Sequence, residues 1–105
     1  MSALVKRFFD AKTEKLNDII LWGTGIARRE FMHVDDIAEA VHFLLNKKIE
    51  ADIINIGHGK DISIKQLAVK IADISEFKGE ILWDKPKPDG TPKKQLNISK
   101  INQLG

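Results

Sequence analysis

Two short apolar runs that each end in a glycine-containing turn restrict the folds open to this chain. Residues 18–22 read DIILW and precede Gly-Thr-Gly, and residues 53–56 read IINI and precede Gly-His-Gly. Apolar runs of this length bounded by glycine are typical of strands. Because amphipathic helical segments alternate with them, the pattern predicts an α/β fold rather than a helical bundle or a β-sandwich.

The longer helices are predicted from apolar spacing and from capping residues. Residues 2–11 have apolar side chains at helical intervals with Ser2 as the N-cap, and residues 34–45 have a continuous apolar stripe. Ser63 and Gln66 match the S-x-x-Q capping box, which predicts a further helix beginning there. The expected fold is therefore α/β with three or four helices and short strands.

Shorter elements are predicted in the rest of the chain. An extended step falls near residues 31–34, and a strand covers residues 80–83. Residues 84–94 contain all three prolines and cannot form a helix or a central strand, because proline lacks the amide hydrogen that both require. Residues 96–104 are predicted to hold one more short helix, capped by Ser99.

Composition excludes several classes of protein. The 105 residues can form one domain or part of one, and a net charge of +2 is too small to indicate nucleic-acid binding. The apolar runs are too short to cross a membrane, and the first residues lack the apolar core of a signal peptide. The sequence has no cysteine, which fits a cytoplasmic protein.

Two apparent ligand-binding patterns are rejected. Gly57 and Gly59 have the spacing of a dinucleotide-binding loop, but Ile62 occupies the position of the third glycine. A turn that requires two glycines explains this pair more simply. The histidines lack the spacing of metal ligands, so no metal site is expected.

The stretch from Trp22 to Arg29 combines groups that can bind a phosphorylated ligand. Tryptophan at a strand end offers a flat face, and arginine donates two parallel hydrogen bonds to a phosphate. The residues fit equally well with Trp22 in the core and Arg29 paired with Glu30 or another acid. The stiff loop that contains Asp89 suits either ligand recognition or a solvated connection, and the residues alone favour the connection.

The chain resembles the extended short-chain dehydrogenases that act on nucleoside-diphosphate sugars, specifically their C-terminal part. The resemblance lies in WGTG at residues 22–25, REFMHVDD at residues 29–36 and NIG at residues 55–57. The loop KPDGTPKK at residues 87–94 is similar to that of the GDP-L-fucose synthase family. Members of that family are NADPH-dependent epimerase-reductases acting on GDP-4-keto-6-deoxy-D-mannose.

The resemblance implies that residues 1–105 are a single C-terminal substrate-binding part of a cytoplasmic, homodimeric enzyme. It implies that the Rossmann half, which binds NADP and carries the catalytic Ser, Tyr and Lys, is absent, and the sequence indeed has no tyrosine. The expected partner is the GDP-sugar substrate, with no nucleic acid and no membrane. No cofactor is expected to bind this part, and no reductase activity is expected from it alone.

The resemblance also assigns substrate-binding roles but no catalytic residue. The positions that correspond to substrate contacts in the family are Arg7, Trp22, Arg29 and Asp89, with Arg29 assigned to the diphosphate. Departures from the family pattern, at Phe9 and Asn97 among others, leave room for another nucleotide-sugar epimerase or dehydratase. A stand-alone, non-catalytic binding module is the remaining alternative.

Overall fold

The computed structural model of the chain describes residues 1–50 and 53–105, and it has the α/β fold predicted from the sequence. In this part of the chain the elements are, in order, α1 (Ser2–Thr13), β1 (Asp18–Trp22), β2 (Arg28–Glu30), α2 (Val34–Leu45), β3 (Asp61–Ser63), α3 (Ile64–Ser75), β4 (Glu80–Asp84), β5 (Lys93–Lys94) and α4 (Ser99–Gln103). None of the helices described is long and apolar enough to span a bilayer.

The strands form two small sheets. β1 and β4 are parallel, with Ile20 opposite Leu82 and Trp22 opposite Asp84, so the two strands end side by side. A parallel pair needs a long crossover connection, and α3 forms part of it. The other sheet has the strand order β3-β2-β5. Residues 84–94 form no helix and no central strand, as the sequence predicts, and the last two of them form the edge strand β5.

Two compact units are distinguished along the chain. The first consists of Met1–Arg28 and Ile62–Pro92, and the second of Arg29–Asp61 and Lys93–Gly105. Among the residues described, every buried apolar side chain belongs to the first unit. Its centre is Phe8, which is fully buried and meets Phe77 edge to face at a centroid distance of 5.6 Å.

Helix α3 begins with the predicted capping box. The Gln66 amide nitrogen donates to the Ser63 hydroxyl at 3.1 Å, and the Ser63 amide donates to Oε1 of Gln66 at 3.0 Å. Helix α2 has the predicted bounds, and its N-cap is His33, whose Nδ1 accepts a hydrogen bond from the Asp35 amide at 3.1 Å. Local capping chemistry therefore fixes the start of both helices.

The two other predicted caps are wrong. Ser2 is already the first helical residue of α1, and its N-cap is Met1, which has no side-chain group to accept the bond. Ser99 is likewise the first residue of α4 after the N-cap Ile98. Its amide donates to the side chain of Asn97 at 3.0 Å. A serine caps a helix only from the position before the first helical residue. The spacing of apolar residues does not locate that first residue to within one position.

Two predicted extended segments are also wrong. The strand expected near residues 31–34 lies instead at Arg28–Glu30. Its position is set by backbone pairing with β3 and β5, whereas the prediction relied on the apolar residues that follow it. Residues 53–56 are irregular, and strand formation requires a neighbouring strand to supply backbone partners. Side chains bind this segment instead: Lys100 donates to the Ile53 carbonyl at 3.2 Å.

Candidate functional site

The first unit has a cleft of about 360 Å³ at the carboxyl ends of β1 and β4. Arg7 of α1, Leu21 and Trp22 of β1, and Trp83 of β4 are among its lining residues. Ligands of α/β proteins commonly bind beyond the carboxyl ends of parallel strands. Two of the predicted substrate-binding residues, Arg7 and Trp22, therefore share a cleft in the position where a ligand is expected.

The arginine in the first helix lines this cleft and is hydrogen-bonded to β1. A guanidinium nitrogen of Arg7 donates to the main-chain carbonyl of Ile20 at 2.6 Å. The neighbouring Lys6 instead pairs with Asp10, one turn along the helix, at 2.6 Å. The structure thus separates the two adjacent basic residues, and Arg7 is the one that lines the cleft.

The indole of Trp22 is exposed, so the interpretation that places it in the core is wrong. Its relative exposure is 64%, and the Lys87 ammonium lies 5.2 Å from the centroid of its ring. Such a cation–π contact contributes about 0.5–1 kcal/mol at an exposed site. An exposed indole offers a flat apolar surface to a planar or sugar group. Lys87 was not among the predicted site residues.

Asp89 fastens the proline-rich loop to the turn after β1. Its Oδ1 accepts a hydrogen bond from the Thr24 amide at 2.6 Å, and its Oδ2 accepts one from the Thr24 hydroxyl at 2.8 Å. These two bonds, the amide bond first, lower the pKa of Asp89 below its usual value. The loop is therefore attached at its centre and is not a freely solvated connection.

The two glycines of the turn are each required for a separate structural reason. Gly23 has φ +85°, and a Cβ there would overlap the Asp89 carboxylate. Gly25 has φ +76°, and a Cβ there would lie 2.7 Å from the Trp83 ring. Both positions thus combine a left-handed backbone with close contact, which only glycine accommodates. The Gly-Thr-Gly sequence lets the loop and Trp83 approach the turn.

In the second unit, Arg29 lies in β2 beside a residue that organises the surrounding loops. The Glu30 carboxylate accepts hydrogen bonds from the amides of His58, Gly59 and Leu96, the last two at 3.2 and 3.1 Å. The sequence suggested Glu30 only as an ion-pair partner for arginine. Its role as an acceptor for three amides has no signal in the sequence, because it depends on segments far apart along the chain. The contact of Arg29 with a diphosphate stays a prediction.

The Gly57–Gly59 segment does not form a cradle for the pyrophosphate of NADP. A phosphate cradle needs amides directed at the ligand, yet the amides of His58 and Gly59 are directed at the carboxylate of Glu30. A Cβ at Gly57 would also overlap that carboxylate. The segment therefore does not fit the cofactor. Within residues 1–50 and 53–105, no cluster of three His, Asp or Glu side chains is placed to hold a metal.

A larger cleft of about 600 Å³ lies at the opposite, amino-terminal ends of β1 and β4. Its lining contains three lysines and three acidic residues, and Lys12 pairs with Glu76 at 3.1 Å. That pair lowers the pKa of Glu76. Because none of the predicted site residues lines this cleft, volume alone does not make it the better candidate.

Residues 1–57 match the NAD dependent epimerase/dehydratase family, and the chain belongs to this family. It is 42% identical over 105 residues to probable GDP-L-fucose synthase 1 of Oryza sativa subsp. japonica, covering 100% of this chain and 32% of that protein. A GDP-mannoheptose C4 reductase of Campylobacter jejuni with NADP bound is similar in structure, with 33% identity and a TM-score of 0.83. That similarity covers 99% of this chain and 38% of the reductase.

A GDP-L-fucose synthetase of Naegleria fowleri gives a TM-score of 0.85 with 27% identity, over 98% of this chain and 32% of that one. The predicted α/β fold and the predicted family are thereby confirmed. The chain spans about a third of the length of the curated relatives it matches, for example 32% of the rice protein and 35% of the Escherichia coli GDP-L-fucose synthase.

Proposed function

We propose that this chain is the GDP-sugar-binding part of an NADP-dependent epimerase-reductase that makes GDP-L-fucose. The observation that carries the proposal is the cleft shared by Arg7 and the exposed Trp22 at the carboxyl ends of β1 and β4. The similarity to GDP-L-fucose synthases over the whole chain supports the same substrate class. In this proposal the cofactor and the catalytic groups come from residues outside this sequence.

The proposed roles divide the ligand into its chemical parts. Trp22 stacks against a planar or sugar group, and Arg7 donates to a phosphate oxygen. The role proposed for Arg29 is the diphosphate contact that the family resemblance assigns to it. Asp89 accepts a hydrogen bond from a sugar hydroxyl, since each of its oxygens has a second lone pair beyond the bond from Thr24. These residues bind and orient the substrate and do not take part in the reaction itself. Binding energy far from the reacting carbons orients the sugar for epimerisation at C3 and C5 and reduction at C4.

The alternatives are less well supported. A stand-alone binding module does not account for the similarity to reductases and synthases along nearly the full chain. Another nucleotide-sugar epimerase or dehydratase would share the fold and the arginines, and it would differ in the base or sugar that binds. The homodimer and the cytoplasmic location implied by the family resemblance stay predictions.

Calorimetric titration of GDP, UDP and their sugar conjugates into the 105-residue protein tests the proposal. Binding of GDP conjugates in preference to UDP conjugates is expected. Arg29→Ala is expected to weaken binding by about 1.5–3 kcal/mol, which is roughly a ten- to 150-fold rise in Kd, because a charged hydrogen bond to phosphate is lost. The neighbouring variant Arg28→Ala serves as the control. Equal affinity of the wild type and Arg29→Ala would remove Arg29 from the site.

A further inference from the structure

The proline-rich loop and the turn after β1 are joined at a single carboxylate. Both oxygens of Asp89 accept hydrogen bonds from Thr24, one from its amide and one from its hydroxyl. Gly23, the preceding residue, leaves space for that carboxylate because it has no Cβ. The Gly23 amide also donates to the Asp84 carbonyl at 2.9 Å, where the loop begins. The turn is therefore bonded to the loop at its start and at its centre.

These bonds control the surroundings of Trp22. Trp22 directly precedes the fastened Gly23-Thr24 pair, and Lys87, which lies over its ring, is two residues from Asp89. Because Trp22 is largely exposed, core packing does not immobilise its indole. Fixing the backbone on both sides of the Trp22–Lys87 contact limits the orientations that the ring adopts before a ligand arrives.

We infer that Asp89 is a positioning residue: by bonding Thr24 it holds the Trp22 indole and the Lys87 ammonium in a ligand-ready arrangement. The inference rests on the proposed function and deepens it, since the direct contact of Asp89 with a sugar hydroxyl is a separate role. A group that preorganises a binding surface raises affinity by reducing the ordering that binding requires. The two roles predict different affinities for a ligand that lacks the sugar. Loss of positioning weakens the binding of such a ligand, whereas loss of the direct contact with a sugar hydroxyl does not.

GDP is therefore the probe, because it lacks the sugar with which Asp89 would bond. Asp89→Ala, which removes both acceptor oxygens, is compared with Asp73→Ala, an exposed site on α3 that matches it in charge change. In Asp89→Ala we expect the Thr24 amide to exchange about five- to tenfold faster with solvent and the Kd for GDP to rise about three- to tenfold. The indole N–H resonance of Trp22, assigned with Trp22→Phe, is expected to move in Asp89→Ala and to stay in place in Asp73→Ala.

Thr24 gives a second route to the same result. Thr24→Val removes the hydroxyl donor and keeps the amide, so a smaller loss of GDP affinity is expected. Thr24→Ser keeps both donors and is expected to bind GDP within about twofold of the wild type. This rescue by a conservative change separates positioning from a general loss of structure, which circular dichroism monitors in each variant.

Three results would overturn the inference. One is unchanged exchange of the Thr24 amide in Asp89→Ala, which would mean that the bonds do not form. Another is an Asp89→Ala protein that loses affinity for GDP-sugars while binding GDP normally, which would leave only the direct contact. The third is a wild-type chain that binds no nucleoside diphosphate, which would refute the proposed function and with it the role of Asp89 toward a ligand.

Discussion

Replacement of Phe8 by alanine is expected to cause a large loss of stability, whereas replacement of its neighbour Phe9 is not. The two phenylalanines are adjacent in α1, but Phe8 is 0% exposed and Phe9 is 62% exposed. Phe8 also makes the edge-to-face contact with Phe77. The pair therefore compares the same substitution in the same helix with and without burial.

The magnitude follows from the burial. A buried Phe→Ala change costs about 3–5 kcal/mol, including the cavity and the lost aromatic contact. A chain of this size has a free energy of unfolding of about 5–15 kcal/mol, so Phe8→Ala would remove about a fifth of it or more. Phe9→Ala is expected to change the free energy of unfolding by about 0.5 kcal/mol or less, because an exposed side chain gives up little burial.

Urea unfolding followed by circular dichroism measures both variants. With a slope of about 1.5 kcal/mol per M, Phe8→Ala lowers the midpoint by about 2–3 M, and Phe9→Ala leaves it nearly unchanged. Equal losses in the two variants, or a loss below about 1 kcal/mol for Phe8→Ala, would refute the placement of Phe8 at the centre of the first unit's core.

Three further predictions concern polar contacts. Ser63→Ala is expected to destabilise the protein by about 1 kcal/mol through loss of the capping box with Gln66, measured by urea unfolding against Ser75→Ala as the control. Glu30→Ala removes both acceptor oxygens, so faster hydrogen exchange at the Gly59 amide is expected, and exchange at wild-type rates would contradict its role. Because hydrogen bonds lower the folded-state pKa of Asp89, its stabilising contribution is present above the unfolded-state pKa near 4 and is lost as the pH falls through the folded-state value. An acid titration of stability that is as steep in Asp89→Asn as in the wild type would contradict this.

Local signals in the sequence predicted the helices well. The capping box at Ser63 and the apolar stripe at residues 34–45 each depend on neighbours within a few positions, so one segment contains the whole signal. The apolar stripe did not predict which side chains of the helix would be buried, and Val34 and Leu45 are exposed although they belong to it. Periodicity determines which side of a helix is apolar, whereas burial depends on other segments.

The site was only partly predictable for the same reason. Arg7, Trp22 and Asp89 came from a resemblance, and the structure adds which of them lie in one cleft and what holds them. The pairing of Asp89 with Thr24 joins residues far apart in sequence, and the bonds of Glu30 do as well. The sequence does not distinguish an acidic residue that accepts hydrogen bonds from main-chain amides from one that is exposed on the surface.

The parallel pairing of β1 with β4 has a consequence for synthesis. Residues 18–22 bond to residues 80–84, and the second unit's longer segment is translated between them. During translation α1 can form early, but Phe8 cannot contact Phe77 until the residues between them have also left the ribosome. Contacts of such long sequence separation form slowly compared with helices, so the apolar side of α1 stays uncovered for longer and is open to association with other chains in that interval.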